Sequence, residues 1–371
     1  MIVEGLLKNK DNLRSWIEGK ADSDIKYITL ERQIFAFYLL EKLVETGVEF
    51  VFKGGTSLIL LLENTNRFST DIDILITWPN LEEIVSLFSK FVSSDSIFTR
   101  FEEDIREDSK FPKKHYKFYF NSLYKNEDQD GYILLDMVFQ HNPYEILIEK
   151  PIKSDVLLTT DPYDNVSMPS VTDILIDKLT AFAPRTIGVK FFRKLDDNEK
   201  DFTREVVKQW FDINEILKKC ESFTNLNSRY IKFSDFEIEQ RELLDKNYLD
   251  CLADTFECAL EYLNESSKNK ELINNLKKGI RRLNAFVNID ITSNYFIEAA
   301  VNVIELISRV LCDEFNTYNQ HVEESKENFP YEQFIKDKGV KLAVQKVFVN
   351  NKEDRERFVK SLRVIDTFLK F

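Results

Sequence analysis

Phe52–Ile76 reads FKGGTSLILLLENTNRFSTDIDILI, and its two ends decide the fold. Gly54-Gly55 is the only adjacent glycine pair in a chain with 9 glycines. The preceding EFVFK reads as a short strand. The apolar run Leu58–Leu62 predicts a helix after the pair, with Thr56 and Ser57 available to cap it. Glycines let a backbone approach a ligand closely, and free amides at a helix start bind anions. The commoner use of such a pair is a tight turn. At the other end, TDIDILI alternates, which places Asp71 and Asp73 on one strand face and Ile72 and Ile74 on the other. Two carboxylates held so close repel unless a cation lies between them. Magnesium suits, being a hard ion that shares its shell with phosphates. A solvated strand face is the alternative. Ile72, Ile74, Leu75 and Ile76 argue for an internal strand, where unpaired carboxylates are costly.

Working outward, 29–46 has apolar residues at helical spacing (Ile34, Phe35, Phe37, Leu40, Leu43, Val44) and Gly47 ends it. Residues 1–24 read as a helical lead-in and 81–94 as another helix. HYKFYFNSLY (115–124) and GYILLDMVF (131–139) read as two strands, joined as a hairpin through Asp128-Gln129-Asp130-Gly131. Asp136 interrupts the second. Beside the Asp71 strand it would complete a three-carboxylate, two-metal site; otherwise it is a lone acid. The polar stretch 157–170, with two prolines, marks a boundary between 1–168 and 169–371. Helices dominate from Val171: 171–183, about 201–219, 240–264, 268–286, 292–314 and 354–370.

Composition narrows the classes. With 43% hydrophobic residues and 31 phenylalanines the chain can bury a large core. Its 4 cysteines include no CxxC pair and its 3 histidines are scattered, which argues against zinc. No signal-peptide pattern and no charge-free span of membrane length occurs, so a soluble cytoplasmic protein is expected. A net charge of −13 argues against a surface that grips nucleic acid everywhere, but not against a local basic track. Three such tracks stand near the motifs: Lys113, Lys114, His115 and Lys117; Arg185, Lys190, Arg193 and Lys194; and Lys277, Lys278, Arg281 and Arg282.

The glycine turn, Asp71-Ile72-Asp73 and the later Asp136 together resemble DNA-polymerase-β-like nucleotidyltransferases. FKGGTSL with RFSTDIDI (Arg67–Ile74) is similar to the AbiEii/AbiGii toxin family of type IV toxin–antitoxin and abortive phage-defence systems. That family's D-K-L-x-A helix is matched by Asp177-Lys178-Leu179-Thr180-Ala181. Its aromatic–Asp–aliphatic helix is matched by Phe211-Asp212-Ile213, although Gln209-Trp210 stands where a first acid is expected. The resemblance spans about Glu31 to Leu217.

It implies an α+β fold: a mixed sheet with flanking helices, plus a C-terminal helical-bundle lobe. It implies transfer of a nucleoside monophosphate from a nucleoside triphosphate to an acceptor hydroxyl, on RNA such as tRNA, arresting growth. Asp71, Asp73 and Asp136 would hold Mg2+ or Mn2+. Lys53, Gly54, Gly55, Thr56, Ser57 and Arg67 would contact the nucleotide, and a cognate antitoxin is a further expected partner. Lys178 and Asp212 join the catalytic set by the same resemblance. On the residues alone, Lys178 is a snorkelling surface lysine or a cation for the leaving phosphates, and Asp212 orients it or is a surface acid. A non-catalytic nucleotide-binding module with the same fold is the second reading. A nuclease is disfavoured, because Val138 stands where a D…D/E-x-K pattern needs lysine.

Overall fold

The computed structural model describes residues 2, 4–21, 24–63, 66–77, 80–94, 97–105, 113–124, 130–195, 198–220, 223–264, 269–312, 336, 339–340 and 352–369. Asp128 and Gln129 of the expected hairpin turn, and His321, lie outside them. The fold is α+β and divides into two compact units. The first is 1–170 with 285–288; the second is 171–284 with 289–371.

The first unit begins with α1 (Glu4–Lys8), α2 (Lys10–Lys20) and α3 (Asp24–Glu45). Then follow β1 (Val51–Lys53), α4 (Gly54–Leu61), β2 (Ile72–Ile76) and α5 (Leu81–Ser94). The strands β3 (Phe98–Glu103), β4 (Lys113–Phe120) and β5 (Gly131–Phe139) complete a five-stranded sheet of order β1-β2-β5-β4-β3. β2 and β5 run parallel and the other neighbours antiparallel, so the sheet is mixed. A two-stranded ladder of β6 (Leu147–Pro151) and β7 (Asn165–Pro169) closes the unit.

The sheet's alternation explains its faces. On β5, Ile133, Leu135 and Met137 are buried while Tyr132, Leu134, Asp136 and Val138 lie on the half-open face. Phenylalanine fills the closed side. Phe88 of α5 meets Phe101, Tyr116 and Phe118 with ring centroids within 5.8 Å, and Phe35 of α3 stacks on Phe120 at 3.9 Å. Such offset and edge-to-face pairs add to the burial of large apolar rings.

The second unit holds α6 (Val171–Ala181), a hairpin of β8 (Phe192–Leu195) and β9 (Asn198–Asp201), then α7 (Thr203–Leu217) and α8 (Leu226–Gln240). It continues with α9 (Tyr248–Leu263), α10 (Lys270–Leu283), α11 (Ser293–Leu311) and α12 (Lys352–Leu369). Fully buried Trp210 centres its core, stacked on Phe182 at 5.3 Å and edge-on to Tyr262 and Phe296. The expected single helix over 240–264 is corrected. The chain turns at Glu242 (φ 56°), and Asn247 with Asp250 forms a reciprocal capping box that starts α9. Among the described residues no helix is long and apolar enough to cross a membrane.

Asp201, at the end of the hairpin, pairs with Lys278 and with Arg282 (2.8 Å) of α10. Burial pushes its carboxyl up. The hydrogen bonds from Lys278 and Thr203 and the Arg282 charge outweigh that and hold it at about 2, below the ordinary 3.8. A depressed folded pKa stabilises above the unfolded value and is lost as pH falls through the folded one. The second unit should therefore lose about 1 kcal/mol between pH 4 and pH 2, a modest figure because both cations face solvent. Acid melts of wild type and Asp201→Asn check this; identical pH dependence would remove the pair from the account.

Candidate active site

The glycine turn is built against an aspartate. Gly54 has φ +79°, a left-handed backbone that side chains rarely adopt. A Cβ there would also lie 2.7 Å from Cγ and 2.8 Å from Cβ of Asp73, so rotating the carboxylate away would not relieve the collision. At Gly55 a Cβ would stand 2.6 Å from Nη2 of Arg67. Gly54 is thus required by its backbone and by close approach, whereas Gly55 leaves room for the end of the Arg67 side chain, and the turn touches the second Asp of the Asp-x-Asp strand.

α4 starts at Gly54 itself, and no side chain caps it. The expected capping by Thr56 and Ser57 is corrected. Both are fully buried inside the helix. The Thr56 hydroxyl bonds Ser69 Oγ at 2.9 Å and the Asp71 carbonyl, while Ser57 Oγ donates to the Gly54 carbonyl at 2.8 Å. The donors at this turn are therefore backbone amides, which helix starts leave without intrahelical partners. Arg67 is also buried. Its Nη1 donates to the Phe68 carbonyl at 2.9 Å, and its backbone pairs with Val287 in an isolated bridge.

The sheet register assembles the acids. Lys53 lies opposite Asp73 across β1 and β2, Asp73 opposite Asp136 across β2 and β5, and Asp136 opposite His115 across β5 and β4. One row therefore reads Lys53, Asp73, Asp136, His115. Asp71 precedes β2 by one residue. Its carboxylate lies 3.6 Å from Arg32 of α3 and accepts from Thr70 at 3.3 Å. Arg32 also lies over the Tyr132 ring at 5.3 Å, and its Nε is buried without a hydrogen-bond partner. No local pattern marks Arg32 or His115 for this site, because only pairing across elements brings them there.

Among the described residues no three His, Cys, Asp or Glu side chains are grouped as a ready-made cage. The donor chemistry still fits magnesium or manganese. All three candidates are carboxylates, and magnesium takes one or two from protein while phosphate and water fill the rest.

In the second unit, α6 and α7 bury an ion pair. Lys178 Nζ is 3.1 Å from Asp212 Oδ2, with side chains 7% and 2% exposed. Lys178 also donates to Gln209 at 3.2 Å, so Gln209 meets the lysine from the position where the resemblance expects an acid. Neither residue is the surface group that the helix pattern alone allowed.

The three basic tracks are partly spent. Lys114 pairs with Glu103, Lys117 with Asp104 at 2.6 Å, and His115 with Asp136 at 2.6 Å. Arg185 is tied to α9 by Asp254 at 2.9 Å and Glu257 at 2.7 Å. Lys190, Lys194, Lys277 and Arg281 remain exposed.

A glycine turn opening a helix against paired aspartates on a mixed sheet is the arrangement of a nucleotidyltransferase. The model of the AbiEii nucleotidyl transferase toxin family, type IV toxin–antitoxin system, matches residues 38–283, and the chain belongs to that family. Comparison with curated proteins finds no match. Among solved structures, JHP933 from Helicobacter pylori is similar at 14% identity, covering 80% of this chain and 99% of its own, with a TM-score of 0.44. An antigenic nucleotidyltransferase-like protein from Paracoccidioides brasiliensis is 14% identical, covering 58% of this chain and 90% of its own, with a TM-score of 0.36.

Gly54→Ala is expected to combine about 1–2 kcal/mol of left-handed backbone strain with displacement of Asp73. Melting temperature and triphosphate affinity should both fall. In the Asp73→Gly background no side chain remains to collide with, so the stability cost of Gly54→Ala should shrink to the backbone term. Equal costs in both backgrounds would show that the turn and Asp73 do not touch.

Proposed function

We propose that this chain is a metal-dependent toxin that transfers a nucleoside monophosphate from a nucleoside triphosphate to an acceptor hydroxyl on RNA. The observation that carries this reading is the contact between Gly54 and Asp73 beside Asp136. A phosphate on the amides of α4 would meet two carboxylates, which is tolerable only with a divalent cation between them. Magnesium or manganese, held by Asp71, Asp73 and Asp136, would supply that neutralisation and lower the cost of ionising the acceptor hydroxyl. The acceptor oxygen forms the new bond to the α-phosphorus, the bond to the bridging oxygen breaks, and pyrophosphate leaves. Asp136 is the proposed recipient of the acceptor proton. Gly54, Gly55 and the backbone of Lys53, Thr56 and Ser57 hold phosphates, with Arg67 supporting the turn at Gly55.

By the family pattern Lys178 and Asp212 belong to the same reaction, with Lys178 as the cation for the leaving group. An antitoxin partner follows from the same family membership, and phage defence is the proposed cellular role. An RNA acceptor requires exposed cations to neutralise phosphates, and Lys190, Lys194, Lys277 and Arg281 supply them.

The deciding experiment incubates pure protein with each labelled triphosphate, magnesium and total RNA. Label should enter one RNA band, vanish in chelator, and weaken with a shallower salt dependence after Lys190→Glu/Lys194→Glu. Triphosphate binding without transfer to any acceptor would leave the non-catalytic nucleotide-binding module standing. Label on protein with none on RNA would reject the RNA acceptor.

A further inference from the structure

His115 stands in sequence among lysines of a basic track, yet its side chain is turned to Asp136. β4 runs antiparallel to β5 with His115 directly opposite Asp136, and β2 places Asp73 on the other side of the same aspartate. Nδ1 of His115 stands 2.6 Å from Oδ1 of Asp136, and the ring is only 12% exposed. The backbone that carries the ring is itself held, because the His115 carbonyl accepts from the Asp104 amide at 2.7 Å. The flanking cations are committed elsewhere, Lys114 to Glu103 and Lys117 to Asp104. The imidazole is the group that β4 places directly opposite Asp136 and within hydrogen-bond distance of it.

We infer that His115 is a positioning residue for Asp136: its Nδ1–H donates to Oδ1 and fixes the rotation of the carboxylate that takes up the metal. The tautomer follows from the partner, since an ionised carboxylate can only accept. A carboxylate on a strand otherwise turns freely about its last bond, and that freedom must be lost each time an ion binds. A partner that already holds one oxygen removes that cost. Groups hydrogen-bonded behind a ligand typically change metal affinity by about 10–100-fold when removed. This inference rests on the proposed metal-dependent transfer, and it adds a residue that neither the family pattern nor the Asp-x-Asp motif contains.

Mn2+ binding, read from the electron paramagnetic resonance of the free ion, tests it without any turnover. His115→Ala should weaken Mn2+ binding about 10–100-fold. His115→Asn, whose amide nitrogen can occupy the place of Nδ1, should stay within about threefold of wild type, whereas His115→Gln, whose amide reaches past it, should behave like alanine. On an Asp136→Ala background, His115→Ala should cause no further loss. Wild-type affinity in His115→Ala overturns the inference, as does an equal loss with and without Asp136, which would mark a general structural role. If His115→Ala melts out, the contrast between Asn and Gln decides, and equal affinities in those two overturn the inference. Wild-type protein that binds Mn2+ but is unaffected by His115 leaves the proposed function intact. Wild-type protein that binds no Mn2+ at all overturns both.

Discussion

Asp73→Ala should reduce nucleotide transfer by about a thousandfold while the protein keeps its fold and melts close to the wild-type temperature. Asp73 touches the Gly54 turn and lies in register beside Asp136, so it is the carboxylate nearest to any phosphate the turn would bind. Removing one preorganised electrostatic contact costs about 10²–10³-fold in rate, and the charge at this position would act on metal and phosphate together. Stability should change little, because relief of the like charge on Asp136 offsets loss of the opposite charge on Lys53, each directly across a neighbouring strand. The measurement is initial rate of label transfer at saturating magnesium, with a thermal melt of the same sample. Transfer at the wild-type rate would reject the assignment of this row of acids. A melt lowered by many degrees would show that Asp73 is chiefly a structural group. In cells, the growth arrest expected of the wild-type toxin should disappear with the same substitution.

The second large effect is on stability. Asp212→Ala should cost about 3–5 kcal/mol, because it strands the Lys178 ammonium in the core with Gln209 as its remaining partner. For a unit of this size that corresponds to a fall of roughly 10 °C in melting temperature. Replacing both partners, as Lys178→Met/Asp212→Leu, should restore most of the stability, since a buried ion pair gains little over well-packed apolar residues. The double variant should nonetheless remain inactive if Lys178 meets the leaving group. Full activity in the restored double variant would reduce the pair to a packing device, and an unchanged melt in Asp212→Ala would contradict its burial.

Much of the first unit is legible in the chain because its signals are local. The glycine pair, the alternation of TDIDILI, the helical spacing of 81–94 and the GYILLDMVF strand each express a preference of neighbouring residues. The structure places α5 at Leu81–Ser94 and β5 at Gly131–Phe139 accordingly. Three of the elements that escaped detection, β3, β8 and β9, share a physical cause, whereas α8 was missed although Leu226, Tyr230 and Phe233 recur at helical spacing. β3 is an edge strand with four exposed residues, and its charges protect an open edge at the expense of the alternating pattern. The β8–β9 hairpin, FRKL and NEKD, is almost wholly polar, so no hydrophobic period marks it.

The sequence by itself determined the chemistry on offer: a glycine turn, an Asp-x-Asp strand and a third acid, in an order that resembles one family. It could not determine who touches whom. The parallel pairing of β2 with β5 brings Asp136 beside Asp73 across a separation of 63 residues, and antiparallel β4 adds His115 to the row. Residues 286–288 hold the segment before Asp71 in place, through Phe286 to Phe68, Val287 to Arg67 and Asn288 to Asn66. Lys178 and Asp212, for which the helix pattern alone leaves a surface position open, are buried against each other. In each case the deciding free energy comes from non-local pairing and burial, which depend on which surfaces meet. A local pattern records only the preference of a residue for a strand or helix, so the identity of its partner is settled when the sheet and the helical unit close.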